Sequence, residues 1–324
     1  MQTIYECAEY LCTKETLNDT LKKYGVAIIT DILNENECQN MVNGIWDFLE
    51  HITSEWDVPL NRNNINTWRE FYKLYPSHAM LLQHWGVGHI QASWDVRQNL
   101  KIVEIFAYFW NCAPEELLVS FDGLSFNLPP EITNKGWHNK KLWYHTDQSY
   151  TTTDFKCIQS WITGIDVNEN DPTLSFIEGS NKFHKEFQEK FNVSDKKDWY
   201  KLNKDEEEFY IENGCTYKNI KCPKGSLVLW DSRTIHCGIN ASKKRIIPNM
   251  RAVIYLCYMP RSICNETNLK KKQKAFCDMR TTSHYPCHIK LFSKIPHTYG
   301  APIPTVKPIN PPLLNDLGKK LAGF

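Results

Sequence analysis

The chain has 324 residues, 42% of them hydrophobic, and its 38 basic and 37 acidic side chains leave a formal net charge of +1. This composition predicts a globular protein with a core of ordinary size, and it gives no indication of binding to nucleic acid, a membrane surface or a polyanion. No apolar run approaches the roughly 18 residues that a membrane-spanning helix needs.

The amino terminus and the cysteines bear on the compartment. The first residues, MQTIYECAEYLCTKE, lack the basic start and the apolar core of a signal peptide. The 12 cysteines include no C-x-x-C pair. We therefore predict a cytoplasmic protein whose thiols are mostly reduced and buried.

Residues 1–116 are predicted to form a mainly helical support. Polar starts followed by apolar residues at helical spacing predict helices over 14–24 and 35–52. The apolar run GVAIITDIL predicts a strand between them, at residues 25–33. A further helix is expected over 97–111, and Pro114 followed by two glutamates is typical of a helix start.

Residues 117–258 are predicted to form the core. Short runs rich in β-branched and aromatic residues follow one another here, separated by Gly, Pro, Asn and Asp. The runs are LLVSFDGLSFNL, LWYHTDQSY, CIQSWITGIDV, LSFIEGS, GSLVLWD, TIHCGIN and RAVIYLCYM. This pattern predicts an antiparallel sandwich or jelly roll. The predicted fold class is mainly β with flanking helices, in a single domain that spans residues 1–324.

Two segments fall outside this core. A charged insert, residues 185–220, is predicted to be a surface excursion that forms a solvated helix pair or a lid. Residues 259–324 are a C-terminal extension, and its proline-rich part after Pro296 is expected to run over the surface as an extended arm.

The extension also carries a group of possible zinc ligands. They are Cys264, Cys277, His284, Cys287 and His288. Their spacing matches no common zinc site, so ordinary thiols and surface histidines are the favoured interpretation, with a structural zinc as the alternative.

His145 and Asp147 lie two residues apart in WYHTDQSY. Residues i and i+2 of a strand point to the same face about 6.6 Å apart, so these side chains can converge on one ion. The spacing alone carries no weight, because 11 histidines and 37 acidic residues give about one such pair by chance. His184-Lys-Glu186 is a second pair, but it follows a loop, so His184 is predicted to lie on the surface.

His236 is the predicted third ligand, in GSLVLWDSRTIHCGIN. A buried strand, a turn and a second short strand there can lie beside the strand of His145 in a two-sheet sandwich. Two histidines and one carboxylate form a facial triad that leaves three metal positions open, which suits non-haem Fe(II). The competing interpretation is that His236 is an ordinary core histidine. Trp143, Tyr144 and Tyr150 either line this site or fill the core.

Arg251 is the candidate cation for an anionic co-substrate. It opens the β-type run RAVIYLCYM, 15 residues after His236, and a hairpin across that interval would place it beside the metal strand. Its guanidinium can bind a carboxylate through two parallel hydrogen bonds. Arg245 is the rival cation, but its polar loop predicts exposure to solvent.

With these residues identified, the sequence resembles the phytanoyl-CoA dioxygenase-like branch of the Fe(II)/2-oxoglutarate-dependent oxygenases. The resemblance extends over about residues 25–258. It is carried by GVAIITDILNENECQNMVNGI, LSFNLPPE, SWITGIDVNENDPTLSFIEGSNKFH and KGSLVLWDSRTIHCG, in that order.

The resemblance implies a double-stranded β-helix, which is a cupin-like jelly roll, with iron at one open end. It implies that His145, Asp147 and His236 are the catalytic residues and the ligands of Fe(II). The implied activity is that of a dioxygenase that uses 2-oxoglutarate and O2 to hydroxylate an unactivated C–H bond, with release of succinate and CO2.

The resemblance also implies how the co-substrate binds. Arg251 is the expected partner of the distal carboxylate of 2-oxoglutarate, and Trp161 and Asn127 match residues near it. The chain departs from the family at Thr146, where glutamine is frequent, and at Leu128, where the family has lysine.

The substrate, a small molecule or a peptide, is not indicated by the sequence. One alternative is a jelly-roll binding module without catalytic activity, in which the metal site is vestigial. Another is a metal hydrolase or isomerase on a cupin-like fold, although such sites usually carry more histidines for each metal.

Overall fold

The computed structural model describes residues 4–76, 81–137 and 142–324. In these ranges the α-helices are α1 (Leu17–Tyr24), α2 (Glu35–Ile52), α3 (Phe71–Leu74), α4 (Gln91–Arg97), α5 (Leu100–Trp110), α6 (Pro130–Thr133), α7 (His184–Phe191), α8 (Lys204–Glu212), α9 (Glu266–Cys277) and α10 (Asp316–Ala322). Short 3-10 helices lie at Ala8–Tyr10, Ile65–Glu70, Val87–His89, Pro114–Glu116, Ser180–Phe183 and Arg261–Ile263.

The strands of the described residues form two large sheets and one small one. They are β1 (Ile4–Glu6), β2 (Val26–Ile29), β3 (Leu81–Leu82), β4 (Leu117–Val119), β5 (Leu124–Asn127), β6 (His145–Thr146), β7 (Ile158–Thr163), β8 (Thr173–Glu178), β9 (Tyr200–Lys201), β10 (Thr216–Ile220), β11 (Leu227–Asp231), β12 (His236–Ile239), β13 (Arg251–Leu256) and β14 (Tyr258–Pro260). The first sheet has the order β1-β10-β8-β12-β6-β9, the second has the order β2-β11-β7-β13-β5-β3, and β14 pairs with β4.

Eight of these strands make a double-stranded β-helix. The strands β10, β8, β12 and β6 of the first sheet face β11, β7, β13 and β5 of the second, and neighbours within each sheet are antiparallel. Along the chain from β5 to β13, these strands cross from one sheet to the other at every step except β8 to β10. This topology confirms the predicted jelly roll and the mainly β fold class.

The second sheet is buried on both faces, which explains its continuous apolar runs. Along β11, Leu227 and Leu229 pack with the helices, whereas Val228 and Trp230 pack in the core between the two sheets. The alternation follows from the two-residue period of a strand. Both faces therefore contribute burial that stabilises the scaffold of the site.

Helix α2 covers the outer face of the second sheet, with the predicted bounds 35–52. It begins at Asn34, whose side chain accepts a hydrogen bond from the Glu37 N–H, while the Glu37 carboxylate accepts one from the Asn34 N–H. Its buried apolar residues include Met41, Ile45 and Ile52, which recur at helical spacing. Helical periodicity and a capping box together account for this element.

The insert that we predicted to be a solvated excursion belongs partly to the core. It forms α7, β9 and α8, but its last residues are β10, which pairs with β8 and β1. Phe187, Phe209 and Tyr210 are buried in a cluster with Ile177 of the first sheet. The prediction of a solvated excursion is wrong where the insert faces the first sheet, because these aromatic side chains cover the outer surface of that sheet.

The C-terminal extension returns to the jelly roll after α9. The Thr282 N–H donates to the Phe121 carbonyl at 2.9 Å, and the Phe121 N–H donates to Thr282 Oγ1 at 3.2 Å. Residues 301–315 contain no helix or strand, and the Trp56 indole N–H donates to the Thr305 carbonyl at 2.7 Å. Residues 301–315 of the proline-rich arm therefore run along the N-terminal helices, but the tail does not stay extended, because it ends in α10 with Leu321 and Ala322 buried.

All twelve cysteines are free, and seven of them are buried. Among the described residues, no helix combines the length and the apolar character required to cross a membrane.

Candidate metal centre

His145 and His236 occupy opposite positions on two neighbouring, hydrogen-bonded strands. β6 is two residues long and pairs with β12 in the register His145↔His236. Asp147 comes two residues after His145, in the bend that follows β6, and its carboxylate lies between the two imidazoles. One ligand atom from each of the three residues lies within 4.8 Å of the other two. The structure therefore brings together the three side chains that were predicted as metal ligands.

The atoms at the centre of this cluster are suited to a cation. Asp147 Oδ1 lies 3.5 Å from His145 Nε2, and Asp147 Oδ2 lies 3.4 Å from His236 Nε2. Each imidazole uses Nδ1 to contact a backbone carbonyl, that of Trp143 at 3.2 Å and that of Thr234 at 2.9 Å. These contacts favour the proton on Nδ1, so both Nε2 lone pairs face the carboxylate. Two imidazole nitrogens and a carboxylate in this arrangement fit a divalent transition metal.

The electrostatics of the cluster also suit a metal. Burial favours the neutral acid, but the imidazoles of His145 and His236 hold the pKa of Asp147 well below its usual range. Burial lowers the pKa of His145, which favours the neutral ring that binds metals. The cluster therefore offers a negative carboxylate beside the neutral imidazole of His145.

Two residues outside the cluster orient Asp147. The side-chain amide of Gln159 donates to Asp147 Oδ2 at 2.9 Å. The Tyr285 hydroxyl donates to the Asp147 backbone carbonyl, also at 2.9 Å. Because ligand orientation tunes metal affinity, both residues belong to the machinery of the site.

Tryptophan rings restrain the two histidines. Trp143 stacks on His145, with ring centroids 4.6 Å apart and planes at 6°. Trp199 lies 5.8 Å from His145, and Trp230 lies 5.4 Å from His236, in tilted arrangements. These contacts limit rotation of the imidazoles and shield them from water.

A cavity of about 320 Å³ lies over the cluster. Its wall comes from both sheets, from the insert and from the C-terminal extension, and its aromatic members are Trp143, Trp199, Trp230, Tyr255 and Phe292. A cavity of this size and mixed polarity is typical of a site for small molecules.

Arg251 lines the same cavity from the second sheet. Its Nε donates to Ser125 Oγ at 3.0 Å, and its Nη1 donates to the Pro172 carbonyl at 2.9 Å. Burial lowers the pKa of Arg251, but a guanidinium stays charged in proteins.

No carboxylate lies within ion-pair distance of Arg251 in the parts of the chain that the structure describes. The arginines that form ion pairs there are Arg62, Arg233 and Arg245. A buried guanidinium without a protein counter-ion, in a cavity wall, is suited to the carboxylate of a ligand.

Trp161 and Asn127 lie near Arg251, but neither is among the described residues that line the cavity. The Arg251 guanidinium lies 5.1 Å from the centroid of the Trp161 ring. Asn127 occupies the register position opposite Arg251, and its amide atoms are buried without a hydrogen-bond partner among the described residues. Trp161 therefore supports the guanidinium from behind, and a direct role of either residue in co-substrate binding stays a prediction.

The predicted hairpin between His236 and Arg251 is wrong, because β12 and β13 belong to different sheets. Arg251 instead reaches the cavity across the space between the sheets. The prediction of an exposed Arg245 is also wrong. Its side chain is only 2% exposed, because it pairs with Glu131 and, at 3.1 Å, with Asp171.

His184 is buried, which corrects its prediction as a surface residue. Its Nε2 contacts the Ser149 carbonyl at 3.2 Å, and its ring stacks on Tyr150 with centroids 4.3 Å apart. The aromatic insert closes over this region, a contact that local sequence does not encode. Three aromatic residues near the triad were predicted either to line the site or to fill the core. Trp143 lines the cavity, whereas Tyr144 and Tyr150 belong to the core.

The C-terminal group of cysteines and histidines does not form a metal cluster within the described residues, where the triad is the one group with suitable geometry. Cys264 Sγ contacts the Cys287 carbonyl at 3.8 Å, and His288 is exposed. His284 lines the cavity, so its prediction as a surface residue is wrong.

Sequence reasoning missed several residues of the site. Gln159 lies two positions before Trp161 on the same strand, so the two-residue period could have indicated it. Asp122 and Tyr285 carried no such signal, and His284 was considered only as a possible zinc ligand, because segments that are distant in sequence bring these residues to the site.

Comparison with known proteins agrees with this geometry. The model of the phytanoyl-CoA dioxygenase (PhyH) family matches residues 21–245, which include the whole triad. The chain belongs to the phytanoyl-CoA dioxygenase family. Arg251 and the C-terminal extension lie beyond the matched residues.

The chain is similar in sequence to the Ava biosynthesis cluster protein O of Aspergillus versicolor. It is 26% identical over 276 residues, which cover 83% of this chain and 85% of that protein. This level of identity leaves the reaction and the substrate of the present chain open.

Two solved structures share the fold. The hypothetical protein JW0805 of Escherichia coli has a TM-score of 0.58 and 13% identity, with 97% of this chain and 85% of that chain covered. The GlcNAc-inducible GIG2 protein (DUF1479) of Candida albicans has a TM-score of 0.55 and 13% identity, with 82% and 67% covered. At these identities the similarity concerns the fold alone.

Proposed function

We propose that this protein is an Fe(II)- and 2-oxoglutarate-dependent dioxygenase that hydroxylates an unactivated C–H bond of its substrate. The observation that carries the proposal is the convergence of His145, Asp147 and His236 in a cavity whose second sheet presents the unpaired guanidinium of Arg251. Membership of the phytanoyl-CoA dioxygenase family supports the same chemistry.

The triad would hold the iron. Two neutral imidazoles and one carboxylate leave three metal positions for a co-substrate and O2, and the charge of Asp147 cancels half of that of Fe(II). When bound, the iron supplies the activation of O2, coupled to the oxidative decarboxylation of 2-oxoglutarate. The overall balance is R–H + 2-oxoglutarate + O2 → R–OH + succinate + CO2.

Arg251 would bind the distal carboxylate of 2-oxoglutarate. Ser125 and Pro172 fix the plane of the guanidinium through Nε and Nη1, and Trp161 packs at 5.1 Å from it. A side chain that is held in place before the ligand arrives loses little conformational entropy on binding. The strands β6, β12 and β13 thus position His145, His236 and Arg251.

The aromatic wall would keep the reaction dry. Trp143 and Trp199 flank His145, and Trp230 flanks His236. These rings limit the access of water to the cluster, which strengthens the electrostatic interactions inside the cavity.

Turnover of labelled co-substrate tests the proposal. The purified protein is incubated with Fe(II), O2 and 2-oxoglutarate labelled at the carboxylate that is lost, against a panel of metabolites and peptides. We expect some panel members to stimulate equal release of CO2 and succinate, and we expect Asp147→Ala to abolish it. His288→Ala, which changes an exposed residue of the extension, is the matched control.

Two other outcomes would replace this proposal. Metal-dependent conversion of a panel member without consumption of 2-oxoglutarate would indicate a hydrolase or an isomerase. Binding of metal and panel members without any turnover would indicate a binding module.

A further inference from the structure

The C-terminal extension contributes a wall of the cavity that the family match at residues 21–245 does not include. The Thr282 N–H donates to the Phe121 carbonyl, and the Phe121 N–H donates to Thr282 Oγ1. The Tyr285 hydroxyl donates to the Asp147 carbonyl at 2.9 Å. His284 lies between these two anchors and lines the cavity. Its position is therefore fixed by contacts with the jelly roll on both sides.

His284 has no hydrogen-bond partner among the described residues, and its Nε2 atom is shielded from solvent. Its closest ring neighbour is Tyr285, with centroids 4.1 Å apart. A shielded imidazole nitrogen without a partner is destabilising in a folded protein. In a cavity wall, a ligand is the partner that removes this penalty.

Asp122 lines the same cavity and follows Phe121, the residue to which Thr282 is joined. Its Oδ1 accepts from the Gly123 N–H at 2.7 Å. Arg97 donates to the backbone carbonyl of Asp122 at 2.6 Å, not to its carboxylate. The described chain supplies no hydrogen bond to Oδ2 and no ion pair to this side chain, so one carboxylate oxygen is left for a ligand.

The other charged groups of the cavity already have partners or assigned roles. Asp198 pairs with Lys156 at 2.6 Å, Asp147 belongs to the triad, and Arg251 is assigned to the co-substrate. Lys290 also lines the cavity, but it is exposed, so water solvates its charge. Among the acidic, basic and histidine residues described in the cavity wall, Asp122 and His284 are therefore the pair that the proposed chemistry leaves unused.

We infer, on the basis of the proposed function, that Asp122 and His284 form the subsite that positions the substrate through a hydrogen-bond-donating group. A carboxylate oxygen and an imidazole nitrogen in the wall of one cavity can accept hydrogen bonds from a hydroxyl or an ammonium group. They repel a carboxylate. The substrate class is therefore an alcohol or an amine whose polar group binds the extension while the remaining part reaches towards the triad.

Binding of three probes to the Co(II)- and 2-oxoglutarate-loaded protein tests this inference. The probes are cyclohexylmethanol, cyclohexylmethylamine and cyclohexanecarboxylate, and ligand-observed NMR measures their dissociation constants. We expect the alcohol or the amine to bind at least about tenfold more tightly than the carboxylate. His284→Phe should weaken that binding about tenfold, His284→Gln should restore much of it, and His288→Phe should change nothing.

The Asp122→Asn variant distinguishes an ammonium group from a hydroxyl group as the hydrogen-bond donor of the substrate. It should weaken the amine more than the alcohol if an ammonium is recognised, and both about equally if a hydroxyl is recognised.

The inference is overturned if His284→Phe binds the probes as the wild type does, or if the carboxylate binds as tightly as the others. Loss of the visible absorption of protein-bound Co(II) in the His284→Phe variant would also overturn the inference, because His284 would then be a metal ligand. Failure of the proposed function would look different, since no member of the panel would then stimulate the consumption of 2-oxoglutarate by the wild-type protein, whatever the affinities of the three probes.

Discussion

Asp147 presents one carboxylate oxygen to each of two imidazoles, with Oδ1 3.5 Å from His145 Nε2 and Oδ2 3.4 Å from His236 Nε2. The two histidines occupy opposed positions in the register of β6 and β12. Sheet pairing therefore sets the separation of the two histidines, and Asp147 follows directly after β6, held by the hydrogen bonds from Gln159 and Tyr285.

Metal binding should stabilise the protein through Asp147. A ligand that binds only the folded state at one hundred times its Kd raises the free energy of unfolding by about 2.7 kcal/mol. We expect Co(II) to raise the midpoint of thermal unfolding of the wild type and to leave that of Asp147→Ala unchanged. An equal shift in the variant would show that the metal binds elsewhere, and His288→Ala should behave as the wild type does.

Arg251→Lys should weaken the binding of 2-oxoglutarate. Lysine keeps the charge but lacks the two-pronged geometry that matches a carboxylate, so we expect KM for 2-oxoglutarate to rise about tenfold or more while kcat changes less. Steady-state kinetics at varied 2-oxoglutarate measure both constants. Arg69→Lys, at an exposed position, is the control, and an unchanged KM for Arg251→Lys would remove this arginine from the co-substrate site.

Gln159→Leu should reduce metal affinity without removing a ligand. It removes the 2.9 Å hydrogen bond that orients Asp147 Oδ2, and partners of this kind are worth about 10- to 100-fold in metal affinity. Calorimetric titration with Co(II) measures the effect, and circular dichroism checks the fold. A dissociation constant equal to that of the wild type would assign Gln159 a packing role.

Lys272 should make stability depend on pH. Its side chain is fully buried, donates to the Val119 carbonyl and lies 3.8 Å from the centroid of the Phe121 ring. Burial lowers the pKa of Lys272 from 10.5 to about 7. Between these values the unfolded chain binds more protons than the folded one, so the free energy of unfolding should rise as the pH rises from about 7 towards 10.

Lys272→Met isolates this effect. At pH 6 the variant should exceed the wild type by about 5 kcal/mol in the free energy of unfolding, because the fall of the pKa from 10.5 to about 7 is the cost of the buried charge that has been removed. The difference should shrink above pH 7 and be small near pH 10. Urea unfolding across this range measures it, and a difference independent of pH would mean that Lys272 stays charged in the folded state.

The core of the fold was predictable because its signals are local. The helix over 35–52 and the seven β-rich runs correspond to elements of the structure, since periodicity and turn residues act over a few positions. The triad was predictable for a related reason. His145 and Asp147 lie two residues apart in one β-rich run, although Asp147 follows the end of β6, and His236 lies in a second β-rich run.

The errors concern contacts between distant segments. Arg245 looks exposed in its own loop, and only the folded chain brings Glu131 and Asp171 to it. His284 looks like a surface histidine until Thr282 joins its segment to Phe121. No periodicity in the sequence encodes such pairings, because they depend on where the extension returns to the jelly roll.

The most direct test of the metal centre is a crystal structure of the Co(II)-loaded protein with anomalous diffraction at the cobalt edge. We predict a single strong anomalous peak within bonding distance of His145 Nε2, His236 Nε2 and a carboxylate oxygen of Asp147. A peak at another group of residues, or none at the triad with saturating Co(II), would contradict the account.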